Sequence, residues 1–296
     1  MKKALLIIWI PVILSGCKFS RSVEKDLISG LTSTGRDITC EDVYLEMYGE
    51  KTSRNSFTYG ETFFIYFNDI KGFASENGSV FPGLELNIMD SNGDTILRAE
   101  DLYEGYADGI SFSPLVLSSD LTLADPIHSG GKYKAAFHIW DKKGSGTFNS
   151  EFEFEVVENK KITVKPKNTS YTEVYLFSQA YNRVVADNVI EFDDNIFIIA
   201  EGLKGFSEEN GKVSPGIQLK GTDSKGNVIL SYDDLFADYN DSEIDASEFS
   251  TRVSANFRLT GMEFNNPLQC VVRIWDKKSN ASLTISTGIT VNSMIK

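Results

Sequence analysis

Histidine occurs only twice in the 296 residues, as His128 and His138, and cysteine three times, as Cys17, Cys40 and Cys270. Both histidines lie in the first half, so no histidine chemistry is shared between the halves. The chain also lacks an H-E-x-x-H pair, a G-x-S-x-G elbow, a P-loop and a dinucleotide fingerprint. Three cysteines are too few for a disulfide scaffold. Positive charge is scarce: 29 Lys and Arg stand against 42 Asp and Glu, a net charge of −13. That sign argues against a nucleic-acid partner, because such affinity comes mostly from bases neutralising phosphates. No apolar run approaches the ~20 residues of a membrane-spanning helix. What is present is ample: 41% hydrophobic and 24% charged residues exclude disorder, and the length suits two domains, each with its own core.

The longest apolar run, Ala4 to Leu14, follows Lys2 and Lys3 and precedes Ser15, Gly16 and Cys17. A basic start, a short apolar stretch and small residues are what a secretory signal peptide requires. Leu14-Ser15-Gly16-Cys17 also resembles the lipobox of bacterial lipoproteins. That resemblance implies removal of residues 1–16, a diacylglycerol thioether and an N-acyl chain such as palmitate on Cys17, and anchoring in the cell envelope. Burial of acyl chains contributes about 0.8 kcal/mol per CH₂, so two or three chains hold firmly. Lys18, rather than Asp, after the cysteine implies display at the outer membrane or cell surface.

Charge divides the rest of the chain. Residues 17–37 are Ser/Thr/Gly-rich and suit a flexible tether. Residues 38–160 hold 9 bases and 21 acids, residues 161–169 carry three lysines and Pro166, and residues 170–296 hold 11 bases and 18 acids. The expected organisation is a signal peptide (1–16), a lipidated tether (17–37), domain 1 (38–160), a linker (161–169) and domain 2 (170–296).

The two domains are copies of one unit. Lys71-Gly72-Phe73 returns as Lys204-Gly205-Phe206, and Glu76-Asn77-Gly78 as Glu209-Asn210-Gly211. From Gly72 to Tyr106, 17 of 35 positions are identical at an offset of 133 without a gap. Ile139-Trp140-Asp141-Lys142-Lys143 recurs as Ile274-Trp275-Asp276-Lys277-Lys278 at an offset of 135. Repetition on this scale marks a tandem duplication.

Within each copy the period is that of strands. Phe63–Phe67 is an aromatic and β-branched run expected to be buried on both faces. Leu84–Ile88 alternates apolar and polar residues, and Asp90–Asp94 supplies a turn to Thr95–Leu97. Tyr133, Ala135, Phe137 and Ile139 share one face of a later strand, opposite His138 and Trp140. Roughly seven short strands in about 120 residues predict an all-β chain of two tandem antiparallel β-sandwich domains. Gly131-Lys132-Tyr133, the strand ending in Trp-Asp and the final alternating strand resemble the end of bacterial immunoglobulin-like or fibronectin-like domains. The resemblance puts Tyr133 at a tyrosine corner; copy two has Leu268 there.

Candidate sites follow from what is repeated and what is acidic. Trp140, Trp275, Phe73 and Phe206 are candidate ligand-binding residues, for a sugar or a protein, against the plainer role of covering the sandwich. Asp233 to Glu248 holds seven acids and no Lys or Arg. It reads as a solvated loop or as a weak Ca²⁺ site at Asp238, Asp241, Glu243 and Asp245, the one cofactor considered. Cys270 reads as a buried thiol, with a Cys40–Cys270 bridge as the alternative. The function expected is a non-enzymatic, envelope-anchored binding or structural module that meets the membrane through its lipid. The alternatives are an envelope hydrolase using surface carboxylates and an immunity or inhibitor lipoprotein binding a basic partner.

Overall fold

The computed structural model describes residues 21–25, 30–237, 244–261 and 263–292. The expected leader, residues 1–16, and Cys17 lie outside them, as do Asp238, Asp241 and Glu243. Among the described residues, no helix is long and apolar enough to cross a membrane.

Domain 1 contains β1 (Arg21–Lys25), β2 (Thr32–Arg36), β3 (Asp42–Met47), β4 (Glu50–Thr52), β5 (Ser56–Thr58), β6 (Thr62–Asn68) and β7 (Ser75–Glu76). It continues through β8 (Ser79–Val80), β9 (Pro82–Met89), β10 (Thr95–Ala99), β11 (Leu117–Thr122), β12 (Lys132–Asp141) and β13 (Thr147–Val157). One sheet runs β1-β2-β13-β12-β9-β10, with β5 parallel to β13, and the facing sheet runs β11-β6-β3-β4. Domain 2 contains β14 (Ile162–Lys167), β15 (Glu173–Ser178), β16 (Arg183–Val184), β17 (Val189–Glu191), β18 (Asn195–Glu201) and β19 (Lys212–Val213). After these come β20 (Pro215–Thr222), β21 (Val228–Tyr232), β22 (Ile244–Asp245), the short helix α1 (Ala246–Thr251), β23 (Arg252–Arg258), β24 (Leu268–Asp276) and β25 (Ser282–Asn292). Its sheets run β14-β25-β24-β20-β21, with β17 parallel to β25, and β16-β15-β18-β23. Both domains are therefore two-layered sandwiches of the same order, as the repeat predicts.

The cores come from the alternation. Leu84, Leu86 and Ile88 of β9, Ala135, Phe137 and Ile139 of β12, and Phe152, Phe154 and Val156 of β13 are buried against Phe63, Ile65 and Phe67 of β6. Phe57 stacks on Phe63 at 5.2 Å, and Phe67 meets Phe137 edge-on at 5.8 Å. Domain 2 has aliphatic residues where domain 1 has aromatics, with Ile196 at the place of Phe63, Val272 at that of Phe137 and Leu283 at that of Phe148. Tyr133 does close a corner: its hydroxyl accepts from the His128 N–H (2.8 Å) and donates to the His128 carbonyl (3.1 Å).

Three expectations need correction. Residues 31–37 are not tether: β2 pairs with β13, Leu31 is buried, and the Ser33 hydroxyl meets that of Ser150 at 3.1 Å. The linker is shorter than 161–169, because β14 pairs with β25 at the sheet edge, where a proline such as Pro166 is tolerated. The third is β6, which is buried on one face only; Phe64 is exposed and Tyr66 half-buried. Polar residues in the first two segments and aromatics in the third obscured a period of two.

Candidate functional site

The repeated residues are each engaged within their own domain. Trp140 lies across Gly83, its partner on β9, and Trp275 across Gly216 on β20; a Cβ on either glycine would come within 2.2 Å of the indole. Glycine leaves a groove that the ring fills, and His138 (5.6 Å) and Arg273 (5.5 Å) pack on the two indoles. Phe73 packs against the domain 1 core, and Phe206 lies 4.8 Å from Phe249 in domain 2. The loops bearing these phenylalanines are fixed by the acid of the Trp-Asp pair. Asp141 Oδ2 accepts from the Ala74 N–H (2.6 Å) and Asp276 Oδ2 from the Ser207 N–H (2.7 Å). Lys142 and Lys277 pair with Asp101 (2.7 Å) and Asp234 (2.8 Å), whose other oxygens cap Leu84 and Ile217.

Acids in the turns are likewise committed. Asp245 caps α1, accepting from the N–H groups of Ser247 and Glu248, and these bonds, with that of the Ser247 hydroxyl, hold its carboxyl below the usual range. Asp223 is pushed down by hydrogen bonds from Asn265 and Asn227 side chains and from turn N–H groups. Among the described residues, no group of three His, Cys, Asp or Glu side chains is arranged to hold a metal ion. No disulfide joins Cys40 and Cys270. Cys40 Sγ faces the carbonyls of Asp42 and Asn68, and Cys270 is buried in domain 2, where burial pushes its thiol up to about 12.

The ionisable groups that come together do so between the domains, which sequence reasoning did not foresee. The end of domain 1 formed by Tyr59, Gly60 and the loop before β12 rests on the outer face of β15 and β18. Tyr59 donates to Glu201 Oε2 (2.7 Å), Tyr175 donates to Glu201 Oε1 (2.6 Å), and Arg252 reaches the same oxygen through two nitrogens. Burial and the Glu201 hydrogen bond raise both tyrosines well above their ordinary value. Glu173 receives both the N–H (2.8 Å) and the hydroxyl (2.7 Å) of Ser129. Burial raises its carboxyl, against those bonds and against His128, whose Nδ1 is 3.5 Å away. His128 also stacks on Tyr59 at 6.2 Å and reaches Asp125 through Nε2 at 3.1 Å. Tyr175, Val184 and Ile199 of domain 2 thereby join the core of domain 1. An open cleft of about 620 Å³ flanks this contact. A second, of about 230 Å³, lies where Glu61 accepts from Tyr48, Arg54 and the Thr58 N–H. Burial and Glu61 push the Tyr48 hydroxyl up to about 12. Glu201 beside the first cleft and Glu61 beside the second are each engaged by tyrosine and arginine donors, an arrangement that fixes structure.

Aromatic rings also gather on the outer face of the domain 1 sheet β11-β6-β3-β4. Tyr44 and Tyr66 stack at 5.3 Å, Phe64 lies 6.3 Å from Tyr66, and Lys51 sits 3.7 Å over the Tyr44 ring while pairing with Asp42 at 2.6 Å. The alternation of Phe63–Phe67 holds the signal for this face, but with aromatic or aliphatic residues at every position it does not say which side is outward.

No family model and no curated protein matches the chain. Among solved structures it is similar to pT26-6p (8% identity, TM-score 0.29, covering 89% of this chain and 63% of that one). It is also similar to an ICAM-5 D1-D4 ectodomain fragment (14%, TM-score 0.22, covering 89% and 60%) and to a DUF3823 family protein from Bacteroides ovatus (15%, TM-score 0.19, covering 75% and 93%). The chain thus spans about 63% of the length of the first and about 60% of the second. Its own sheet order defines the class: a tandem pair of immunoglobulin-like β-sandwiches.

Proposed function

We propose that the chain is a lipoprotein of the bacterial envelope, cleaved before Cys17, anchored through that residue and displayed at the outer membrane. In this reading its sandwiches form a non-catalytic binding or structural module for a protein or glycan ligand. One observation carries the module reading. Glu61 and Glu201 are tied to tyrosine, arginine and backbone donors, while exposed Phe64 and the half-buried rings of Tyr44 and Tyr66 gather on one outer sheet face of domain 1. Exposed aromatics ringed by charge are what recognition surfaces use. Support for the anchor is Leu14-Ser15-Gly16-Cys17 behind its apolar run.

Fractionation tests the anchor: the wild-type chain goes to membranes and Cys17→Ala to the soluble fraction, whereas membrane association of the variant overturns the reading. Screening the mature chain against envelope glycans and proteins tests the module. Saturable capture weakened about tenfold or more by Phe64→Ser supports it, a hot-spot loss of that size being ordinary for an aromatic anchor; turnover of any substrate overturns it.

A further inference from the structure

The duplication allows the contact inside the chain to be compared with surfaces that face solvent. On domain 2 the outer face of β15 and β18 is covered by the end of domain 1. Among the described residues, none covers the matching face of domain 1. The registers fix the correspondence: Asp42↔Asn68 and Tyr44↔Tyr66 in β3·β6 match Glu173↔Glu201 and Tyr175↔Ile199 in β15·β18. Glu46↔Lys51 in β3·β4 matches Phe177↔Val184 in β15·β16.

The end of domain 1 that makes the contact also has a counterpart, the C-terminal end of domain 2. Gly60 donates its N–H to the Leu123 carbonyl at 2.7 Å, and Asp193 donates to Leu259 at 3.2 Å. Both have positive φ, +83° and +69°. Tyr59 and Phe192 precede them. Each copy therefore has a face and an end, and one face and one end remain exposed.

We infer that the exposed face of domain 1 binds the C-terminal end of domain 2 of a second copy, repeating between molecules the contact made within each. The residue pairs change together. Within the chain, a Cβ on Gly60 would come within 2.4 Å of Val184 Cγ2, so this contact needs glycine opposite a small apolar side chain. At the exposed counterparts, glycine is replaced by Asp193 and valine by Lys51, opposite charges whose side chains are 53% and 62% exposed. The Tyr59–Glu201 hydrogen bond maps onto Phe192 and Asn68, where the hydroxyl and the carboxylate have been lost together. Asp193 is already paired with Arg258 (3.1 Å) and Lys51 with Asp42. Bringing the two pairs together alternates charge around an aromatic centre of Tyr44, Tyr66 and Phe192. Face and end differ, so the contact is heterologous and propagates head to tail instead of closing as a two-fold dimer. This self-association does not depend on the anchor.

Sedimentation velocity on the mature chain, residues 17–296, made without its leader so that no lipid is attached, tests the inference. Association that rises with concentration and exceeds a dimer is expected. Lys51→Val leaves Asp193 facing an apolar side chain and weakens association about fivefold, the loss of one ion pair of about 1 kcal/mol. Asp193→Gly, unstrained at positive φ, weakens it similarly. The double variant Lys51→Val/Asp193→Gly rebuilds the Gly60·Val184 pair and recovers association. A monomer at every concentration into the millimolar range overturns the inference, as does association that neither single variant alters. Glycan capture by the Tyr44 face in a chain that remains monomeric also overturns it, while leaving the module reading intact.

Discussion

At the scale of single residues, the most informative group is Glu173, a carboxylate held between domains with 5% of its side chain exposed. Burial raises its pKa and the Ser129 bonds and His128 oppose the shift, with Asp125 on the far side of the imidazole. The sign of the linkage follows. A carboxyl whose folded pKa exceeds its unfolded value of about 4.3 contributes stability that is complete below that value and is lost as pH rises through the folded pKa. Glu173→Gln keeps an acceptor for the Ser129 N–H and removes the buried charge. The urea midpoints of wild type and variant should therefore meet near pH 4, with the variant the more stable at pH 7. Asp223 has the opposite sign: hydrogen bonds from Asn265 and Asn227 lower its pKa, so its contribution fades as pH falls.

At the scale of elements, pairing decides what each aromatic does. Trp140 and Trp275 end β12 and β24 on the side away from the core, where sequence makes them equally suitable as binding platforms and as covers. The glycine on the neighbouring strand makes the cover visible, since only there can an indole lie on backbone. Gly216→Val should displace Trp275, destabilise the chain by about 1–3 kcal/mol in urea unfolding, as overpacking does, and shift the tryptophan emission to longer wavelength. A chain begun at Cys17 lacks Trp9 and reports only Trp140 and Trp275. The edge strands show why other elements were hidden. β14 has one neighbour and an open side, and β2 lies between β13 and the short outermost β1; polar strands at the margin of a sheet read as linker or tether until their partners β25 and β13 are known.

At the scale of the whole molecule, the domains are joined by more than residues 158–161. Asn159 bonds the Ala186 carbonyl and Asn188, and Glu201 gathers Tyr59, Tyr175 and Arg252 across the contact. Glu201→Ala leaves two buried hydroxyls without their acceptor, at about 1–3 kcal/mol each. Calorimetry should show one melting transition for the wild type and two for the variant. Retention of one transition would mean that apolar contacts of Val184, Tyr175 and Ile199 suffice to couple the domains.

The sequence by itself determined the all-β class, the duplication, the core faces of β9, β12 and β13, and the turn at Asp90–Asp94, because alternation, internal identity and turn chemistry are local properties. Only the tertiary structure decided which repeated residues lock the fold. The pairings of Asp141 with Ala74, of Lys142 with Asp101 and of Trp140 with Gly83 join segments far apart in the chain. It also decided that the informative residues are those in which the copies differ. Val184 and Lys51, or Gly60 and Asp193, are unremarkable in a linear comparison, and they acquire meaning only when one face is covered by a domain and its counterpart faces water.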